Sequence, residues 1–521
     1  MWFELKSKLQ NPKPEILLLL ICAVAFALRL GPLFDNRFHP DEALFSTWAL
    51  KIARGENLLL TGVPIDKPPL LIYLNAISFF VFGQSELAAR VMNLVASVIS
   101  VPLVWCLGIG TLGNGKLVSS HPSNQFTNFQ FINLLPPLLL ALSPLAILFA
   151  PTAFLDPTMV MFGLASLVAA SRGRAGWVGI LLGLSFATKV QGLFFAPLIP
   201  IFWSRQVDKE TSLSVSHSLR LLIRFAIGFV SIAACVFLWD RARGGLPFWV
   251  QQTINYGDIR MIYAGEVAPR LTGWLNFLPY FFGPIVGVLG LIGLPILLYR
   301  DFAQRARTQD TRRVMWIDLG LLAYTIGFLA FHWLFDFPVW DRYLLILVPI
   351  AALLLGRSLL VFLSSCLSVC KSFPLSFSPA LLLALVALAI LPFSLAAAES
   401  QYPLGGDHGA NDGIEQVAVY LKGLPSGTVV YEHELAWLLG YYMGDGFAYL
   451  SYYDTPADLA DDLRVFGDRD DRYVILPGRA SLAEVIDAIG QVGYTLTPVF
   501  ATQNRLGQTS FTVYQIVKRP A

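Results

Sequence analysis

Long apolar runs separated by polar connections recur along the chain. Those of spanning or near-spanning length lie at 15–34, 86–110, 131–150, 157–172, 176–189, 191–204, 218–239, 273–299, 315–335, 343–363 and 378–398. A helix needs about 20 residues to cross the hydrocarbon core, so the pattern predicts a polytopic α-helical membrane protein of about 11 or more spans. The pieces 176–189 and 191–204 are short, and parity decides how to count them. Short loops rich in Lys and Arg stay cytoplasmic. Here these are the N-terminus, the loop with Lys116, the Arg172/Arg174 turn, the 205–224 stretch and the 300–313 loop. Counting two spans in 176–204 keeps all of them on one side, whereas one span would send the 300–313 loop across. Two spans are therefore expected, with the N-terminus cytoplasmic. The loops 35–69, 150–157, 240–272 and 336–342 then share the outer side with everything after about residue 399.

Two stretches of the first loop carry their own pattern. Ala43–Ala53 has an apolar face at helical spacing and ends before Gly55, which predicts a short amphipathic helix in the interface. Leu70–Phe82 is apolar but too short to span, and reads as interfacial or re-entrant. From residue 400 the periodicity changes. A turn-rich linker, Tyr402–Gly413, precedes expected helices near 413–422, 434–442, 456–466 and 481–490 and strands near 428–431, 447–450, 472–476, 494–500 and 510–517. Such alternation predicts a small α/β domain. The chain thus divides into a multispan part, 1–399, and an extracytoplasmic α/β domain, 400–521.

Composition agrees with this architecture. The 521 residues are 55% apolar and 14% charged, with a mean hydropathy of +0.61, far from a soluble globular protein. The net charge of +2 says little about partners because charges are sorted by region, and nucleic acid is not among the partners expected. The five cysteines fall in or beside apolar runs without metal or disulfide spacing. Lys6, Lys8 and Lys13 precede the first run with no cleavage site after it, so that run reads as a retained helix.

Candidate chemistry gathers in the outer loops. Asp41-Glu42 follows Pro40; it fits a helix start, and equally a carboxylate fixed as a general base. In Asp66-Lys67-Pro68-Pro69 two prolines pin a lysine suited to a phosphate oxygen. Asp156 stands between two spans, where a carboxylate is costly and functional by default. Lys189 and Gln191 mark the junction of the two short pieces. Trp340-Asp-Arg-Tyr343 opens a span with Arg342 and Tyr343 available to an anion. Arg260 and Arg270 lie in the 240–272 loop. His433 between two glutamates is a solvated strand end rather than a metal site.

Taken in order, His39-Pro-Asp-Glu-Ala, Gly62-Val-Pro-Ile-Asp-Lys-Pro-Pro-Leu-Leu-Ile-Tyr-Leu-Asn75, Phe82-Gly-Gln-Ser-Glu-Leu-Ala-Ala-Arg90, Ala141-Leu-Ser-Pro144, Leu155-Asp156 and Ala187-Thr-Lys189 form a connected pattern. It resembles the GT-C membrane glycosyltransferases of the protein O-mannosyltransferase and aminoarabinose (lipid A) transferase superfamily. Specific motifs cover residues 15–205; from there to about 400 the likeness rests on hydropathy and Arg342-Tyr343.

The resemblance implies transfer of a sugar from a polyprenyl-phosphate carrier to an acceptor outside the cytoplasm, with membrane lipids around the enzyme. It makes Asp41 the general base beside Glu42, and Asp156 a second acid. It gives the donor phosphate to Lys67, Arg260 or Arg270, Arg342 and Tyr343, with His39, Asp66 and Lys189 in support. The family often has Glu where this chain has Asp66, the position through which a divalent metal would be held, and the shorter arm counts against that ion. The acceptor is open between lipid, glycan and protein. Two rivals stand beside this reading: a transporter or flippase of lipid-linked sugars, and a membrane-anchored binding protein. A flippase predicts functional charges near the midplane and paired repeats, and an anchor leaves the acid–lysine loops unexplained.

Overall fold

The computed structural model describes residues 14–112, 133–207, 215–304, 309–369, 379–444 and 449–519. Among these, seven helices are long and apolar enough to cross a membrane: Pro14–Asp35, Glu86–Ile109, Ser218–Ala242, Pro279–Ala303, Thr311–Leu334, Asp341–Leu363 and Ala380–Ala398. Four further apolar helices are shorter, Leu70–Phe82, Asp156–Ser171, Ala175–Thr188 and Val190–Trp203. Four of the eleven expected runs therefore do not become full-length helices. The 131–150 run is divided at Ser143, because Pro144 lacks an N–H and the Ser143 hydroxyl caps a new helix at Ala146 N. The run at 157–172 becomes a helix of 16 residues, about 24 Å long and short of the roughly 30 Å core. Lys189, with extended backbone, separates helix Ala175–Thr188 from the piece that begins at Val190. The basic residues at 6–13, 116, 209, 305 and 307 lie outside the described residues.

Close helix crossings and buried polar anchors hold the bundle. Gly179 sits against the Phe225 carbonyl and Gly228 against that of Gly176, where any Cβ would collide. Helix Ala175–Thr188 thereby packs on helix Val215–Ala242 backbone to backbone, as small residues allow in lipid. Arg29, near the end of the first apolar run, is fully buried. Its guanidinium donates to the carbonyls of Ala25, Leu140 and Ala141 and to Ser97 Oγ. It thus satisfies the Ala141 carbonyl at the end of helix Leu135–Leu142 and shares that of Leu140 with Ser143 N.

Beyond helix Pro379–Ala398 the chain forms a five-stranded sheet: β1 Val429–Glu432, β2 Tyr449–Tyr452, β3 Arg472–Pro477, β4 Tyr494–Gln503 and β5 Thr509–Lys518. The order is β2-β1-β3-β5-β4, with β1 parallel to β2 and β3 and β5 antiparallel to β3 and β4. Helices Ile414–Lys422, Ala436–Met443, Pro456–Phe466 and Leu482–Gly490 intervene, close to the expected positions.

This α/β part does not hang free. One apolar core joins Phe38, Trp48, Leu71, Ile72 and Phe79 of the first loop to Leu438, Leu439 and Tyr441 of the terminal part. The first-loop helix, Pro40–Ala53, is consequently buried on most of its surface instead of lying open at an interface. Its position is fixed from both ends of the sequence.

Candidate active site

The first-loop helix begins with a built cap. His39 is extended and its Nδ1 accepts from Asp41 N at 3.2 Å, Pro40 needs no donor partner, and Glu42 Oε2 accepts from His39 N at 2.9 Å. Burial pushes the His39 ring below the usual imidazole range. Successive residues of a helix point about 100° apart, so the two acids part company. Glu42 turns inward and is fully buried. Its Oε1 accepts from Ala153 N at 2.7 Å and from Arg90 Nε at 3.1 Å. Both Glu42 oxygens are thus bonded to scaffold and neither meets solvent. Arg90 in turn reaches Glu86 and the carbonyls of Asn36 and Arg37.

Asp41 turns the other way. Its side chain keeps 33% exposure and its Oδ2 accepts from Arg342 Nη1 at 2.8 Å. Arg342 is held between the rings of Phe154 and Trp340, at 4.7 and 4.3 Å from their centroids. Burial works against the Asp41 charge, but the Arg342 guanidinium, His39 and Lys67 outweigh it and hold the carboxyl below its ordinary range. One residue on, the Tyr343 ring lies 4.9 Å from Lys189 Nζ, which pairs with Asp156 Oδ1 at 2.7 Å in a nearly solvent-free contact.

Lys67 completes the cluster from a third direction. Its ammonium pairs with Asp66 at 2.7 Å, donates to the Tyr256 hydroxyl at 3.2 Å and lies over that ring at 4.4 Å. Asn255 Nδ2 donates to the same Asp66 oxygen at 3.2 Å. Tyr256 then meets Trp340 edge-on, with centroids 6.0 Å apart. Burial lowers Lys67 from the usual lysine range, with Asp66 opposing, and burial raises the Tyr256 phenol so that it stays protonated. The loop before Lys67 is tied down by Arg243, whose Nη1 donates to Val63 O at 3.0 Å and whose Nε pairs with Asp240 at 2.8 Å.

Seven expected residues thus converge from five segments: Asp41, Asp66, Lys67, Asp156, Lys189, Arg342 and Tyr343, with His39 as the cap of the helix that carries Asp41. Two do not join them. Arg260 pairs with Glu266 at 3.0 Å and Asp336 at 3.1 Å and stacks on Tyr263. Arg270 spends its Nε and Nη2 on the carbonyls of His332, Trp333, Phe335 and Phe337. Loop charge suggested these arginines, and loop carboxylates and carbonyls account for them. The sequence also passed over Tyr256, Asn255 and Phe154. An Asn-Tyr pair closing a short helix before Gly257 is the only local signal, and it is a weak one. The Asp66 carboxylate already receives a lysine and an amide on one oxygen, and among the described residues no three His, Cys, Asp or Glu side chains come together for a metal. These donors do not fit an ion held by the protein.

No family model and no curated protein matches the sequence. Among solved structures, ArnT from Cupriavidus metallidurans in the apo state superposes with a TM-score of 0.59 at 15% identity, covering 95% of this chain and 97% of that one. ArnT bound to undecaprenyl phosphate gives 0.58 at 14% identity over 96% and 97%. The chain has the ArnT fold. Arabinofuranosyltransferase AftD from Mycobacteria also matches, at 0.46 and 16%, over 96% of this chain and 41% of its own. The ArnT match covers nearly the whole chain and so extends through the terminal α/β part.

Proposed function

We propose that this protein transfers a hexosyl or pentosyl group from a polyprenyl-phosphate carrier to an acceptor at the outer membrane face. The observation that carries this reading is the convergence of Asp41, Lys67 and Arg342 in one partly open cluster of an ArnT fold. ArnT itself has been solved with undecaprenyl phosphate bound, which supports a carrier of that class here.

The acceptor's nucleophilic group gives its proton to Asp41 as its lone pair attacks the anomeric carbon. The bond from that carbon to the carrier phosphate oxygen breaks, and its electron pair leaves on the phosphate. Lys67 and Arg342 stabilise that charge, with the protonated Tyr256 phenol beside Lys67. Attack opposite the leaving group inverts the anomeric centre. Phosphate is a good leaving group, so no general acid is needed, and no step is assigned to a metal.

The resting contacts suggest how the base is released. Arg342 holds Asp41 in a weakly basic state. A phosphate arriving at Arg342 draws the guanidinium away and makes Asp41 a better base only when donor is present. Asp156 and Lys189 form a buried pair behind Tyr343 and support its ring. Outer-face placement follows from the basic loops of the sequence, and 1–399 and 400–521 are taken as the membrane and outer parts.

Purified protein incubated with radiolabelled undecaprenyl-phosphate sugars and a membrane extract should label one lipid, glycan or protein fraction. Asp41→Asn should abolish that labelling while remaining folded; a folded Asp41→Asn with full transfer would remove Asp41 from the mechanism.

A further inference from the structure

The segment between the last long helix and the α/β part is bonded to the residues that flank both partners of the Asp41–Arg342 pair. On one side, Asp407 Oδ1 accepts from Arg37 N at 2.9 Å, and Asn411 Nδ2 donates to Phe38 O at 2.9 Å. These bonds grip the extended residues that lead into His39, Pro40 and Asp41. On the other side, Gly405 N donates to Asp341 Oδ2 at 3.2 Å, while Asp341 Oδ1 accepts from Arg342 N at 2.8 Å.

The segment is itself rigidly built. Asp407 Oδ2 accepts from Asn411 N at 2.9 Å, closing a tight loop, and both side chains are buried. Ser400 Oγ accepts from Asn36 Nδ2 at 3.1 Å. Gly405 and Gly406 have φ of +71° and +85°, and a Cβ on Gly406 would come within 2.8 Å of the Asn36 amide. Arg505, from the β4–β5 hairpin, binds Asp412 at 2.9 Å and reaches the Asp35 carbonyl, backing the same strip from behind.

We propose that Ser400–Asn411 is a clamp that sets the distance between Asp41 and Arg342, with Asp407 as its central positioning residue. Two strips far apart in sequence, 36–38 and 341, are tied to one short span of chain, one to five residues from the groups they carry. The clamp touches no reacting atom and acts only through the pair. Its catalytic meaning rests on Asp41 being the base. Its geometric claim does not.

The test reads Asp41 directly. Carbodiimide modifies protonated carboxyls, and peptide mass spectrometry of the full-length detergent-solubilised protein labelled across pH gives the Asp41 midpoint. The charged groups facing Asp41 are Arg342, His39 and Lys67. In Asp407→Ala the midpoint should move up toward that of Arg342→Gln, and transfer should fall about tenfold with the KM for donor nearly unchanged. Asp407 already carries its proton at the pH where Asp41 titrates, so replacing it removes no charge there and an upward shift reports geometry. Asn411→Ala, which is charge-neutral and removes only the bond to Phe38 O, should shift the midpoint in the same direction, and it serves should Asp407→Ala fail to fold. Asp407→Asn, which keeps one acceptor oxygen for Arg37 N, should fall between wild type and Ala. An unchanged midpoint in a folded Asp407→Ala or Asn411→Ala, with only thermal stability reduced, overturns the clamp. Failure of the wild type to transfer any labelled sugar would instead sink the transferase reading and leave the midpoint result standing.

Discussion

At the scale of the residue, Asp41 and Glu42 show how adjacent identical chemistry separates. One turns toward Arg342 and partial solvent, the other toward Arg90 and none. Replacing Asp41 with Asn should lower kcat by about 10²–10⁴-fold, the range of a lost general base, with the unfolding temperature nearly unchanged. Glu42→Ala should do the reverse in character. It leaves Arg90 buried with one of its two carboxylate partners gone, which costs about 3–5 kcal/mol and will appear as a large drop in thermal midpoint in detergent. The sequence could not tell these two acids apart, because both satisfy a helix N-terminus and only the tertiary partners divide them. Lys67 was legible because a lone cation before two prolines at a membrane edge has few other uses. Tyr256 was not, since its place depends on Trp340 and Lys67 arriving from elsewhere. The pH profile carries a further expectation. Arg342 keeps Asp41 ionised below the ordinary carboxylate value of 3.8, so activity should be retained as pH falls toward that value. In Arg342→Gln the Asp41 proton returns at higher pH, and the acid limb of kcat/KM should move up.

At the scale of the element, the linker offers a separate measurement. Burial lifts Asp407 from 3.8 to about 6 in the folded chain. Because this value is raised, the group's contribution to stability is fully present below about pH 3.8 and is lost as pH rises through about 6. Asp407→Asn should therefore flatten the stability–pH curve between those limits by about 3 kcal/mol, seen as a loss of slope in thermal midpoints measured at stepped pH. The α/β elements beyond the linker were legible almost residue for residue, because strand and helix periods alternate there with clear turn residues between them. The membrane elements were legible as apolar segments but not as lengths. A run of apolar residues does not reveal where Ser143-Pro144 will end one helix and start another, nor that Asp156–Ser171 stops at 16 residues.

At the scale of the whole molecule, the first loop and the last hundred residues share one apolar core. Leu438, 1% exposed there, packs against residues some four hundred positions earlier in the chain. Leu438→Ala should cost about 2–5 kcal/mol, and transfer activity should fall in step with the folded fraction read by size-exclusion chromatography. No local pattern could have announced this contact, since each half reads as a complete amphipathic unit. The shared core also bears on the order of synthesis. Phe38, Trp48 and Leu71 emerge early, yet their covering side chains are among the last to be made. A nascent chain must therefore carry bare aromatic surface beside Asp41 until helix Ala436–Met443 is made and closes over it.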